Sequence, residues 1–263
     1  MNRWETAGNR RRCGLTLMEL VVVLVILIAL AGILIPLLPS FLERAHVSSC
    51  ATNIPELNKA MQTYQSLYYA YPDEYDALIE GSGLFTRLPA DAPGNYVGGQ
   101  LGTMTLNAGT LAALQHAGIR NLWYMSSAPG TSATFSPYDP AATVPTPLAT
   151  GSTVATLDGL AAVDKLGVRP AQATATFVIF GLGKRCTIVG RTIAEPPTHF
   201  GDRPEISAGE AYGRYGVVFQ LTDATGTALS KARFLGVVAL HDNGIENADD
   251  HMEEHYRITR EQQ

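Results

Sequence analysis

The first fifty residues hold the strongest pattern in the chain. A basic cluster (Arg10-Arg11-Arg12), a cysteine and a glycine, then Leu15-Thr16-Leu17-Met18-Glu19, lead into an apolar run without a charged residue from Leu20 to Leu42. Glu43-Arg44 closes the run. At 1.5 Å per helical residue it spans roughly 35 Å, against about 30 Å for a bilayer core. Beyond it, Ile54, Leu57, Met61, Tyr64 and Tyr68 recur at steps of three and four, with Glu56, Asn58, Lys59, Gln62 and Gln65 on the other faces. This is the stripe of an amphipathic helix ending near Pro72. Pro55 either kinks that helix or opens a second one capped by Thr52 or Asn53. The last third carries β-branched and aromatic segments, Phe177 to Phe180, Cys186 to Val189, Tyr215 to Leu221 and Phe234 to Leu240, separated by glycine-bearing turns. They predict antiparallel strands.

Between these regions, about 89–147 is rich in Gly, Ala, Thr, Ser and Pro, and 126–147 reads as loop. Leu111-Ala112-Ala113-Leu114 through Gly118-Ile119-Arg120 parallels Leu160-Ala161-Ala162-Val163 through Gly167-Val168-Arg169. Each predicts a short helix closed by a left-handed glycine and followed by a strand. The pattern thus divides the chain into 1–14, 15–42 (apolar helix), 43–72 (stem helix), 73–170 (an insertion with short helices), 171–241 (antiparallel sheet) and 242–263 (an acidic polar tail). The expected class is α+β, a long N-terminal helix packed on a C-terminal antiparallel sheet with an enlarged head.

Glu19 is the odd member of the apolar run, since a carboxylate costs about 2.5–3.5 kcal/mol at mid-membrane. Gly14-Leu15-Thr16-Leu17-Met18-Glu19 resembles the prepilin peptidase site of type IV pilins and type II secretion pseudopilins: glycine, a hydrophobic residue, threonine, leucine, any residue, glutamate. The resemblance implies cleavage between Gly14 and Leu15, N-methylation of Leu15, and a Glu19 that meets the Leu15 ammonium of a neighbouring subunit. Leu15 departs from the more usual phenylalanine. Pro36 stands where pilins commonly carry a helix-loosening proline. The implied partners are other pseudopilins in a homo- or hetero-polymer, the prepilin peptidase, an inner-membrane assembly platform and membrane lipid. Retention of Glu19 argues against the tip-type minor subunit, which usually lacks it. The N-terminal arginines predict a cytoplasmic N-terminus, and the resemblance implies a single-pass inner-membrane protein with a periplasmic or filament-exposed head. Two other readings fit part of this pattern. One is a secretory signal cut at Ala29-Leu30-Ala31, though the apolar run continues through Ile35. The other is a plain anchor on a periplasmic binding domain that does not polymerise.

Composition adds a folded domain behind the anchor: 16% charged and 46% hydrophobic residues exclude a disordered tail. The 263 residues carry a net charge of −5. Removing 1–14 takes away four arginines and Glu5, leaving 15 basic and 23 acidic residues and a net −8. With that balance nucleic acid is not an expected partner. Processing would also discard Cys13 and leave Cys50 and Cys186 as an even pair, which predicts a Cys50–Cys186 disulfide in an oxidising compartment.

Candidate chemistry is sparse. No Gly-x-Ser-x-Gly elbow or Walker loop occurs. His251-Met252-Glu253-Glu254-His255 matches the H-x-x-E-H metalloprotease pattern, but only eight residues follow it, in a polar tail. The expectation is a solvated tail on a protein that is not an enzyme. No cofactor is fixed. Calcium is the candidate cation, with Asp242, Glu246, Asp249 and Asp250 as oxygen ligands around Gly244. Their spacing is not that of an EF-hand. The family resemblance also implies calcium in the C-terminal region, without a residue-by-residue match.

Overall fold

The computed structural model of the chain describes residues 17–125, 144–199 and 211–260. Gly14 and Leu15, and residues 126–143 of the expected loop, lie outside the described residues. The chain divides into two compact units, Met1–Ala45 and His46–Gln263. Helix α1 runs Leu17–Tyr68, with Glu19 in its first turn and Pro36 and Pro55 within it. Leu17–Ile35 has mean hydropathy 3.1 and no buried residue. By length and composition it is able to cross a membrane.

In the second unit α1 buries one stripe: Val47, Cys50, Ile54, Leu57, Met61 and Tyr64. The stripe ends a turn earlier than the sequence suggests. Tyr68 is 46% exposed, its ring tilted against that of Tyr64 at 4.5 Å with the Arg191 guanidinium over it. Pro55 neither ends the helix nor begins one. A proline inside a helix costs about 3 kcal/mol. Burial of Ile54 and Leu57 beside it returns about 1.5–3 kcal/mol each.

The strands are β1 (Tyr75–Asp76), β2 (Ile79–Glu80), β3 (Gly83–Leu84), β4 (Leu101–Thr105), β5 (Asn121–Trp123), β6 (Thr146–Pro147), β7 (Thr153–Leu157), β8 (Phe177–Gly181), β9 (Gly216–Thr222), β10 (Ala228–Leu240) and β11 (Ile245–Glu246). Three further helices are α2 (Ala108–Ala117), α3 (Gly159–Leu166) and α4 (Ala248–Arg260). The main sheet runs β11-β10-β9-β8-β1-β5-β6, with β7 also on β8 and β4 on β7; β2 and β3 form a separate hairpin. Every pairing between these strands is antiparallel except β1 with β5. Every residue of β8 and β9 is buried, which explains why both are mostly apolar on both faces: neither face of the strand meets water. Helix α1 is tied to this sheet where the Val237 N–H donates to Asn58 Oδ1 and the Tyr75 hydroxyl reaches Met61 Sδ.

Both Leu-Ala-Ala segments fold as helix, left-handed glycine and strand. Asn107 and Thr110 form a reciprocal capping box on α2, which closes at Gly118 (φ 104°). Asp158 caps α3, which closes at Gly167 (φ 63°). The strands before them, β4 and β7, pair with each other. Three expectations change. Segment 73–170 is woven into the main sheet through β1, β4, β5, β6 and β7 rather than appended to it. Cys186–Val189 forms turns, not a strand; Thr187 is held by the Asp73 backbone and Tyr64 hydroxyl instead. The supposed polar tail folds as β11 and α4.

Candidate metal centre

The C-terminal segment turns sharply as it leaves the sheet. Strand β10 ends at Leu240, the His241 N–H bonds the Gly244 carbonyl, and β11 pairs back with Ala239 opposite Glu246 and Leu240 opposite Ile245. The turn is pinned from outside. Gly98 N–H donates to the Asp242 carbonyl, and Ile245 N–H donates to Gln100 Oε1. A side chain at Gly98 would collide with the Asn243 carbonyl, so glycine is required for this approach. Helix α4 then starts under its own cap. Asn247 Oδ1 accepts from the N–H groups of Asp249 and Asp250, and Asp250 Oδ2 accepts from the Asn247 N–H. Lys165 at the end of α3 holds Asp250 at 2.9 Å. Burial pulls on this lysine, but hydrogen bonding and charge from Asp250 and Asp164 leave its pKa above the ordinary value.

These constraints bring three side chains to one point. Glu246 Oε2 lies 3.3 Å from His241 Nε2 and 3.5 Å from His251 Nδ1. The ligand atoms of the three all lie within 4.8 Å of one another. Both histidine side chains are 0% exposed and that of Glu246 is 18%. His199 stands next to them, its ring centroid 4.4 Å from His241 and 6.3 Å from His251. His199 Nδ1 is 3.0 Å from Cys50 Sγ, which the Tyr215 hydroxyl approaches at 3.5 Å. Burial, and the Cys50 sulfur beside it, push the Tyr215 pKa up. A buried polar chain therefore runs from α1 through His199 to α4.

The expected calcium set does not assemble. Among the described residues, Glu246 joins the two histidines, not Asp242, Asp249 or Asp250. Asp242 Oδ1 accepts from the Asn243 N–H, and Asp250 is committed to the cap and to Lys165. Two imidazoles and one carboxylate are a poor match for an ion that takes six to eight oxygens. The H-x-x-E-H pattern does not assemble either: His251 joins His241 and Glu246, His255 lies outside that group, and Glu254 meets Arg257.

The expected Cys50–Cys186 disulfide is absent; both residues are buried thiols. Folding commits each to a different neighbourhood, Cys50 to His199 and Tyr215 and Cys186 to the turns after β8. Burial drives the Cys186 thiol far up from its ordinary pKa.

Sequence reasoning missed both His199 and His241 as site residues. His199 lies in a proline-rich loop that only the fold returns to the sheet, where its N–H bonds the Gly213 carbonyl. His241 had a usable signal: His241, Glu246 and His251 fall at five-residue steps across a turn and a helix start. No family model, curated protein or solved structure matches this chain.

Proposed function

We propose that the chain is a structural subunit of a pilin-like filament of the pseudopilin kind, inserted in a membrane by α1, cleaved and methylated at Leu15, and polymerised through α1. One observation supports this reading above the others: the Gly14–Glu19 motif opens directly onto an apolar helix that exposes all of Leu17–Ile35. An apolar surface of that length needs lipid or other copies of the helix to cover it. Glu19 in the first turn of α1 gives the packing a register. Its carboxylate and a neighbour's Leu15 ammonium attract strongly at low dielectric, and each relieves the other's burial cost. The α+β head then lies on the far side of the membrane from the arginine-rich leader.

Co-expression with a prepilin peptidase tests the reading by intact-mass measurement. The expected product has lost residues 1–14 and gained one methyl group on Leu15. An N-terminus that remains intact favours the non-polymerising anchored domain. A chain trimmed beyond Ala31 favours the secretory signal.

A further inference from the structure

We propose that His241, Glu246 and His251 bind a divalent transition metal of the zinc type, which pins α4 to the β10–β11 hairpin. The inference is independent of the filament reading.

The distances point to a metal. Zinc ligands about 2.0–2.1 Å from the ion, at the corners of a tetrahedron, stand roughly 3.3–3.4 Å from one another. The Glu246 oxygen is 3.3 and 3.5 Å from its two histidine nitrogens. The donor chemistry agrees: imidazole with one carboxylate suits zinc and its neighbours and disfavours calcium and magnesium.

The rigidity of the ligands agrees too. His241 and Glu246 are fixed by the hairpin register, and His251 by the capped first turn of α4. Preorganisation of this kind lowers the entropic cost of capturing an ion. Both histidines are wholly buried and Glu246 is 18% exposed, and three protein ligands leave a fourth position on a tetrahedral ion. His199 flanks the site on its Cys50 side. The sequence within α4 is otherwise polar, and Met252 and Tyr256 are exposed. The buried side chain at its start is His251, so a metal bond there would hold the helix where apolar packing is thin.

The test uses the full-length protein purified in detergent, stripped with a chelator and titrated with zinc, cobalt(II) or calcium. The expected result is one zinc per chain, a visible cobalt spectrum of tetrahedral type that zinc abolishes and calcium does not, and a melting temperature raised by zinc. Glu246→Gln keeps the side-chain volume and is expected to bind zinc at least about tenfold more weakly. Its melting temperature without metal should match that of stripped wild type and should rise less with zinc than that of wild type. His241→Ala and His251→Ala are expected to bind none, and Asp249→Asn to behave as wild type. Wild type that takes up no zinc, cobalt displaced as readily by calcium as by zinc, or E246Q with wild-type affinity each overturns the proposal.

Discussion

Cys50 and Cys186 show how a residue's role follows from its neighbours rather than its count. Cleavage after Gly14 would leave two of the three cysteines, and in an oxidising compartment parity alone favours a bridge. Position decides otherwise. Cys50 lies on the buried stripe of α1 with its sulfur on His199, while Cys186 is enclosed in the turns after β8, where burial keeps its thiol protonated. A thiol that does not ionise is a poor nucleophile. The folded protein should therefore show no mass change on reduction, and Cys186 should resist alkylation at pH 8 until the chain is unfolded. A loss of two hydrogens' mass relative to the reduced chain, or rapid labelling of Cys186 in the native state, would contradict this assignment. The same residue-level logic separates Asp250 from the metal-ligating set: one carboxylate already serves a helix cap and Lys165.

At the scale of elements, what the sequence made legible was local. The stripe of α1, the two glycine-closed helices and the apolar strands β8 and β9 each depend on neighbours within a few residues, so spacing and composition reveal them. Gly118 is required at its position twice over. Its φ of 104° is open to glycine, and a Cβ there would also meet the Tyr71 carbonyl at 2.9 Å and Ala70 Cβ at 2.8 Å. Gly151 has a comparable φ of 90° but open space around it. Gly118→Ala should therefore cost about 1–3 kcal/mol from the backbone plus the clash, and denaturant unfolding should show it losing more than Gly151→Ala. Equal losses would mean that the strand–helix junction yields freely. What stayed hidden was non-local. Cys186–Val189 has strand-like residues but pairs only through a single bridge from Val189 to Ile193, while Asp73 and Tyr64 hold Thr187. Helix α4 reads as tail because the side chain that it buries most deeply is His251, a polar residue. The metal-ligating trio became visible only once β11 folded back along β10.

For the whole molecule, the open question is what covers Leu17–Ile35. No residue of that helix segment is buried within the chain, so its stability depends on lipid, on copies of itself, or on both in succession. In lipid alone Glu19 is a liability of up to about 2.5–3.5 kcal/mol, less near the membrane edge where it can reach water. Between packed helices the same carboxylate becomes an asset if a neighbouring ammonium meets it, because removing either partner then leaves an isolated charge in low dielectric. These two situations predict opposite responses to Glu19→Ala. As a simple anchor residue, its loss should improve membrane retention and change nothing else. As a pairing residue, its loss should leave peptidase cleavage and membrane insertion intact while sharply reducing incorporation into filaments. Crosslinking between engineered cysteines along α1, with sheared filaments quantified against the membrane-bound pool, distinguishes the two. Glu19→Gln refines the test, since it retains the shape and hydrogen-bonding capacity but not the charge. If charge sets the register, E19Q assembles as poorly as E19A. If E19A assembles at the wild-type level, the helix packs by apolar contact alone and the pairing role of Glu19 is lost.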